Sequence, residues 1–271
     1  MRQVRLFLAF GFIGLALASS HAMGQSRETI APPRAALLVK HLRQLPFKPI
    51  ATGLSYLRTV SPEGVELIAL RISAAHFKAR VELQNVNKGE MVAQMGTRAG
   101  ALIAINGGFF SVNKKGDKVP VGLLAIQGKK LSTPWKTNGG YLNLHEGAIT
   151  IIPTRNNAIP KGEAVLQSKP MLIEPGGKWA MNTNGAIARK RTLICNDTKG
   201  DIIVLAIIGG GLSLFEAGWL MRTDELGGYF NCDSALAMDG GGSTQIWVKD
   251  RPDLSYAGET PVHNAVVILP R

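Results

Sequence analysis

Apolar and polar positions change rhythm along the chain. Residues 65–72 form a mostly apolar run that reads as a strand. Phe77, Ala79, Val81 and Leu83 alternate with Lys78, Arg80 and Glu82, which predicts a strand with one face buried. Leu102, Ile103, Ala104 and Ile105 predict a short buried strand that runs into Asn106-Gly107-Gly108-Phe109-Phe110. Further strands are expected at 121–126, 141–144, 148–152, 171–173, 192–195, 202–208, 235–238, 244–248 and 264–269. Helical spacing is rarer. Residues 89–99 place Met91, Val92 and Met95 on one side. Ser213 and Glu216 fit a capping box opening a helix over 214–226, stopped by Gly227-Gly228. Upstream, Pro32, Pro33, Pro46 and Pro49 frame a short helix near 36–44 and an entry segment. Runs of strands with few helices argue for an α+β domain.

Composition narrows this. The apolar content of 45% and charged content of 18% describe a globular chain, not a disordered one. The 31 glycines cluster in pairs and triples, which favours many turns between strands. Arg2 and Arg5, the apolar residues 6–18 and Ser20-His21-Ala22 read as a secretory signal over residues 1–22. A retained anchor is the alternative, but the apolar run is short for a bilayer span. The expected organisation is a signal at 1–22, a basic segment at 23–60 and one domain at 61–271. The mature chain is then periplasmic or secreted, with no transmembrane segment. Cleavage lowers the net charge from +12 to +10, since Arg2 and Arg5 are the signal's only charged residues. A strongly basic exported protein implies anionic surroundings, such as envelope polymers or a phosphate-bearing substrate. No dense Lys/Arg run interleaved with aromatics occurs, so no nucleic acid partner is expected. Cys195 and Cys232 are the only cysteines, open to one disulfide or two buried thiols.

The candidate chemistry sits at strand ends. Met238-Asp239-Gly240-Gly241-Gly242-Ser243-Thr244 offers a carboxylate, hydroxyls and backbone amides that can converge on an anion. Asn106-Gly107-Gly108 offers an amide and close backbone approach. Gln167-Ser168-Lys169 precedes another strand, and Arg189-Lys190-Arg191 forms a basic cluster in which an arginine can grip phosphate bidentately. His263 and Asn264 precede the last strand. No G-x-S-x-G, H-E-x-x-H or phosphate-loop pattern is present.

The order of these segments, with Pro120-Val121-Gly122-Leu123 and Pro261-Val262-His263-Asn264-Ala265, resembles the phosphodiester glycosidase family over about residues 61–270. The resemblance implies an α+β domain with a mixed sheet and hydrolysis of a sugar-1-phosphodiester. Carried over by position, Asn106, Gly107, Gly108, Arg191, Asp239, Gly241, Gly242 and Ser243 match its site-lining motifs. On that reading Asp239 is the catalytic carboxylate and Arg191 holds the phosphate. Asn106 and Ser243 orient sugar hydroxyls, Gln167 and Ser168 line the substrate, and Gly241 and Gly242 amides supplement the anion site. Glu174 and Glu259 are candidates for a second carboxylate. The sequence requires no cofactor and leaves a divalent cation beside Asp239 open. Three positions depart from the family pattern: Lys169 and Cys195 stand where glycine is common, and Thr260 where arginine is common. Two other functions are therefore weighed: a non-catalytic module binding anionic envelope glycans, and an ordinary O-glycosidase. Oligomeric state is left open.

Overall fold

A computed structural model describes residues 30–156, 158–182, 185 and 187–271. The signal expected at 1–22 lies outside these residues, as does the start of the 23–60 segment.

Alternating side chains divide the main sheet between two cores. Its eight strands run Lys48–Ala51, Leu54–Val60, Glu66–Ile72, Ile202–Leu212, Arg189–Asp197, Cys232–Ala237, Met171–Glu174 and Lys178–Trp179 in spatial order. One face, with Ile68, Leu70, Ile194, Val204 and Leu236, packs against the remaining sheets. The other, with Leu67, Ala69, Leu193, Leu205 and Ala235, lies under helices α1 (Pro33–Leu42) and α3 (Leu214–Met221). Burial on both faces explains the mostly apolar run at 65–72.

A four-stranded sheet orders Ile246–Val248, Ile103–Asn106, Asn264–Pro270 and Phe77–Leu83, and α2 (Val92–Arg98) covers its outer face. A five-stranded sheet orders Ala148–Pro153, Gly140–His145, Ala164–Ser168, Leu124–Ile126 and Lys129–Lys130. A hairpin pairs Phe110–Val112 with Lys118–Pro120. The α+β domain with few helices is what the sequence predicts. The named strands pair antiparallel throughout, which specifies its sheets further.

Three elements differ from expectation. The entry segment after α1 forms the edge strand Lys48–Ala51 and its inner neighbour Leu54–Val60, in the same compact unit as the rest, Ala31–Arg271. Pro49 is tolerated there because an edge strand does not need every N–H. Helix α2 starts later than residue 89 because Glu90 bridges Val262. Helix α3 opens with the expected reciprocal cap: Ser213 Oγ accepts from Glu216 N at 3.1 Å, and Ser213 N donates to Glu216 Oε2 at 2.8 Å. It ends at Met221, not near residue 226, because Tyr229 N and Phe230 N donate to Leu220 O and Phe230 is fully buried.

Cys195 and Cys232 form a disulfide across neighbouring strands, so the two-thiol alternative falls.

Candidate active site around Asp239

Strand ends from three sheets meet at Asp239. The main-sheet strand Cys232–Ala237 delivers Met238 and Asp239 at its C-terminal end. Met238 N donates to Thr192 O at 2.9 Å, and Ala237 N donates to Pro170 O at 3.0 Å. From the four-stranded sheet, Asn106 Nδ2 donates to Asp239 O at 2.7 Å and Gly107 O accepts from Asp239 N at 3.2 Å. The five-stranded sheet ends at Ser168, whose Oγ donates to Ala237 O at 2.7 Å. The backbone of Asp239 is thus clamped from every side.

Its carboxylate remains at the rim. Oδ1 accepts from Gly240 N at 2.9 Å. Burial pushes the carboxyl above the ordinary aspartate range, while hydrogen bonds from the Ser243 hydroxyl and Gly240 N and the charge of Lys118 pull it down. Gly241 takes φ +63° as the chain turns through residues 241–243. The N–H groups of Gly241 and Gly242 have no acceptor among the described residues, so both are free for an anion.

Asn106 does not offer its amide to a ligand. It is fully buried, and its Oδ1 accepts from Thr192 Oγ1 at 2.6 Å and Gln245 N at 3.0 Å. Its hydrogen bonds tie three segments together around Asp239. Gln167 is spent similarly: Oε1 accepts from Leu123 N and Trp135 N, both at 2.8 Å, and Nε2 donates to Trp135 O at 2.6 Å. Ser168, bonded to Ala237, is buried as well. All three side chains are buried and held by internal partners, as buried polar groups must be. Gly107 must be glycine: a Cβ there would lie 1.9 Å from Asn264 Oδ1, the acceptor of Gly108 N at 2.9 Å.

Arg191 borders the turn, its Nη1 3.8 Å from where a Gly240 Cβ would sit. Nε donates to Leu212 O at 3.0 Å and Nη2 to Ile187 O at 2.9 Å. Burial and then the charge of Arg189 lower its proton affinity. Arg189 is exposed at the start of its strand. Lys169 Nζ lies 3.7 Å from the Trp135 ring centroid. Lys190 donates to Glu259 and to the Tyr256 hydroxyl. Thr260 supports Gly242 through N–H···O at 3.1 Å, so no cation stands there.

The two candidate second carboxylates separate. Glu174 pairs with Arg155 at the far end of its strand from Met171, the residue near the site. Glu259 adjoins the turn, with Oε2 3.3 Å from a Cβ built on Gly242. His263 is buried and neutral: desolvation lowers its pKa to about 4 and Nδ1 accepts from Asn264 Nδ2 at 3.2 Å.

Lys118, Trp135 and Gln245 escape a reading of the sequence. Gln245 bonds Val92 N and Thr260 O, both at 2.9 Å, but nothing local marks it. Lys118 precedes Pro120-Val121-Gly122 by two residues, the one signal that places it near a site. Among the described residues, no three His, Cys, Asp or Glu side chains group as a metal site. No described helix is long and apolar enough to cross a membrane.

Residues 99–269 match the family model described as phosphodiester glycosidase. No curated protein sequence matches the chain. Two solved structures share the fold. A hypothetical protein from Synechocystis aligns at 16% identity and TM-score 0.56, covering 84% of this chain and 64% of that one. The chain therefore spans less than two thirds of that protein. The catalytic domain of zebrafish N-acetylglucosamine-1-phosphodiester alpha-N-acetylglucosaminidase aligns at 14% identity and TM-score 0.57, covering 80% of this chain and 82% of that one.

Proposed function

The chain belongs to the phosphodiester glycosidase family, and from that premise we propose that it is an exported hydrolase of sugar-1-phosphodiesters in envelope or extracellular glycans. The bond cleaved joins the anomeric carbon to a phosphate oxygen. Asp239 is the base: it takes a proton from water as the water oxygen bonds to the anomeric carbon. The carbon–oxygen bond to phosphate breaks, and its electron pair leaves with the phosphate monoester. A phosphate leaves as a stable anion, so cationic and amide stabilisation matters more than strong protonation of the leaving oxygen. Arg191 and the Gly241 and Gly242 amides supply that stabilisation. Ser243 orients Asp239, and Asn106, Gln167 and Ser168 hold the frame. Glu259 is the second carboxylate of the turn.

The observation that carries this reading is a partly buried Asp239, its carboxyl raised by desolvation, beside unpaired amides and Arg191. A base works best with its pKa near the working pH, which burial promotes. Export is supported by the signal pattern at 1–22 and by the Cys195–Cys232 disulfide, which persists in oxidising compartments. The domain would then extend from Ala31 to Arg271.

Asp239→Asn tests the chemistry. Loss of a general base lowers kcat by about 100-fold or more; a variant that keeps the wild-type rate removes Asp239 from the reaction.

A second reading, binding of anionic glycans without turnover, draws on Arg191: two of its donors are already engaged by Leu212 and Ile187. Glycan binding with no release of sugar from any phosphodiester would favour it.

A further inference from the structure

An anion brought beside Asp239 meets a carboxylate of the same sign, so a cation with no carboxylate partner is needed at the contact. The basic residues around the turn differ in how far they are committed. Lys190 is paired with Glu259, and Arg191 spends two donors on carbonyl groups. Lys169 rests on Trp135. Lys118 is likewise stacked on a ring, that of Phe110, but it is the cation whose charge reaches the Asp239 carboxyl. Among the described residues no carboxylate lies within ion-pair distance of it.

Its placement follows from the chain. Gly107 O accepts from Asp239 N, and Phe110 comes three residues later to open the hairpin. The register Val112↔Lys118 and Phe110↔Pro120 puts Lys118 diagonal to Phe110 on one face. The ammonium sits 4.1 Å from the Phe110 ring centroid. The stem packs on Gly89, where an added Cβ would come within 2.5 Å of Lys118 Cε. Lys118 N donates to Asn87 O at 2.6 Å, and Lys118 O accepts from Gln84 Nε2 at 3.0 Å. A half-buried lysine held at stem, ring and backbone is preorganised, unlike exposed Lys114 and Lys115 on the same hairpin.

We propose that Lys118 is a further cation, in addition to Arg191, that binds the leaving phosphate beside Asp239. The assignment rests on the hydrolase reading for its role in turnover, but the anion contact is testable without turnover. Its charge already acts on the Asp239 carboxyl, which sets the two groups in one field.

The test is calorimetric titration of inorganic phosphate at low salt into wild type, Lys118→Met, Lys118→Arg and Lys115→Met. Removing a charged hydrogen bond costs about 10- to 100-fold in affinity. Lys118→Met should lose that factor and Lys118→Arg should recover part of it. Lys115→Met, which removes the same charge from the same hairpin, should stay within about 2-fold of wild type, as expected for a screened surface charge. Wild-type affinity in Lys118→Met, an equal loss in Lys115→Met, or a wild type that binds no phosphate would each overturn the assignment. Phosphate bound through Lys118 by a protein that hydrolyses no sugar-1-phosphodiester would instead sink the hydrolase reading and leave the anion contact standing.

Discussion

In the proposed chemistry Asp239 meets two opposed demands, a charge for reaction and burial for position. Burial raises its carboxyl pKa, so the neutral form is the one the fold prefers. The stability it contributes is complete below the ordinary aspartate range and is lost as pH rises through the folded value. Asp239→Asn should therefore raise Tm at neutral pH, with the gap to wild type closing in acid, as melts across pH would register. The same shift places the acidic limb of kcat/KM above the usual carboxylate range. His263 has the opposite sign. Its folded pKa is depressed to about 4 from 6.5, so its contribution is present above 6.5 and lost as pH falls through about 4. His263→Gln should flatten that acid-side loss in Tm; an unchanged profile would show that the imidazole is not the group responsible. Asn106→Leu leaves the Thr192 hydroxyl and Gln245 N without their acceptor in a fully buried place. The cost is about 2–5 kcal/mol by denaturant unfolding, which a solvent-facing ligand residue would not show.

At the scale of elements, the disulfide joins the strand that carries Arg191 to the strand that delivers Asp239. It closes a loop with a sequence separation of 37. Loop-closure entropy for that length is about 4 kcal/mol. A Cys195→Ala, Cys232→Ala double variant should melt roughly 10 °C lower; a shift under about 2 °C would mean the sheet alone fixes the pair. The strands are the legible elements: Phe77–Leu83 buries alternate residues as its alternation predicts, and the apolar run of Asn264–Pro270 is buried on both faces over residues 264–268. Lys48–Ala51 was not, because Pro49 reads as a breaker until the strand is known to lie at an edge. The early end of α3 was equally hidden, since the pull comes from Phe230 burying itself beneath the helix.

Across the whole molecule, the candidate site exists only where three sheets meet. Sequence order placed Asn106, Ser168, Arg191 and Asp239 in one family pattern, and the fold brings their segments together. Which of them face a ligand was not legible, because that depends on partners distant in sequence: Asn106 with Thr192 and Gln245, Ser168 with Ala237. Lys118 was missed for the same reason, since its neighbours Phe110 and Gly89 are set by a hairpin and a turn. On the proposed reading the mature chain's net charge, +10 after loss of Arg2 and Arg5 from +12, adds a long-range attraction for an anionic substrate that weakens with ionic strength. The central claim concerns the bond broken. It is tested most directly by following release of free sugar from a panel of sugar-1-phosphodiesters, with the matching aryl glycosides alongside, using wild type and Asp239→Asn. Hydrolysis of a phosphodiester by wild type, lost in the variant and absent from the aryl glycosides, is the predicted result. Cleavage confined to the aryl glycosides, or no sugar released from any member of the panel, would contradict it.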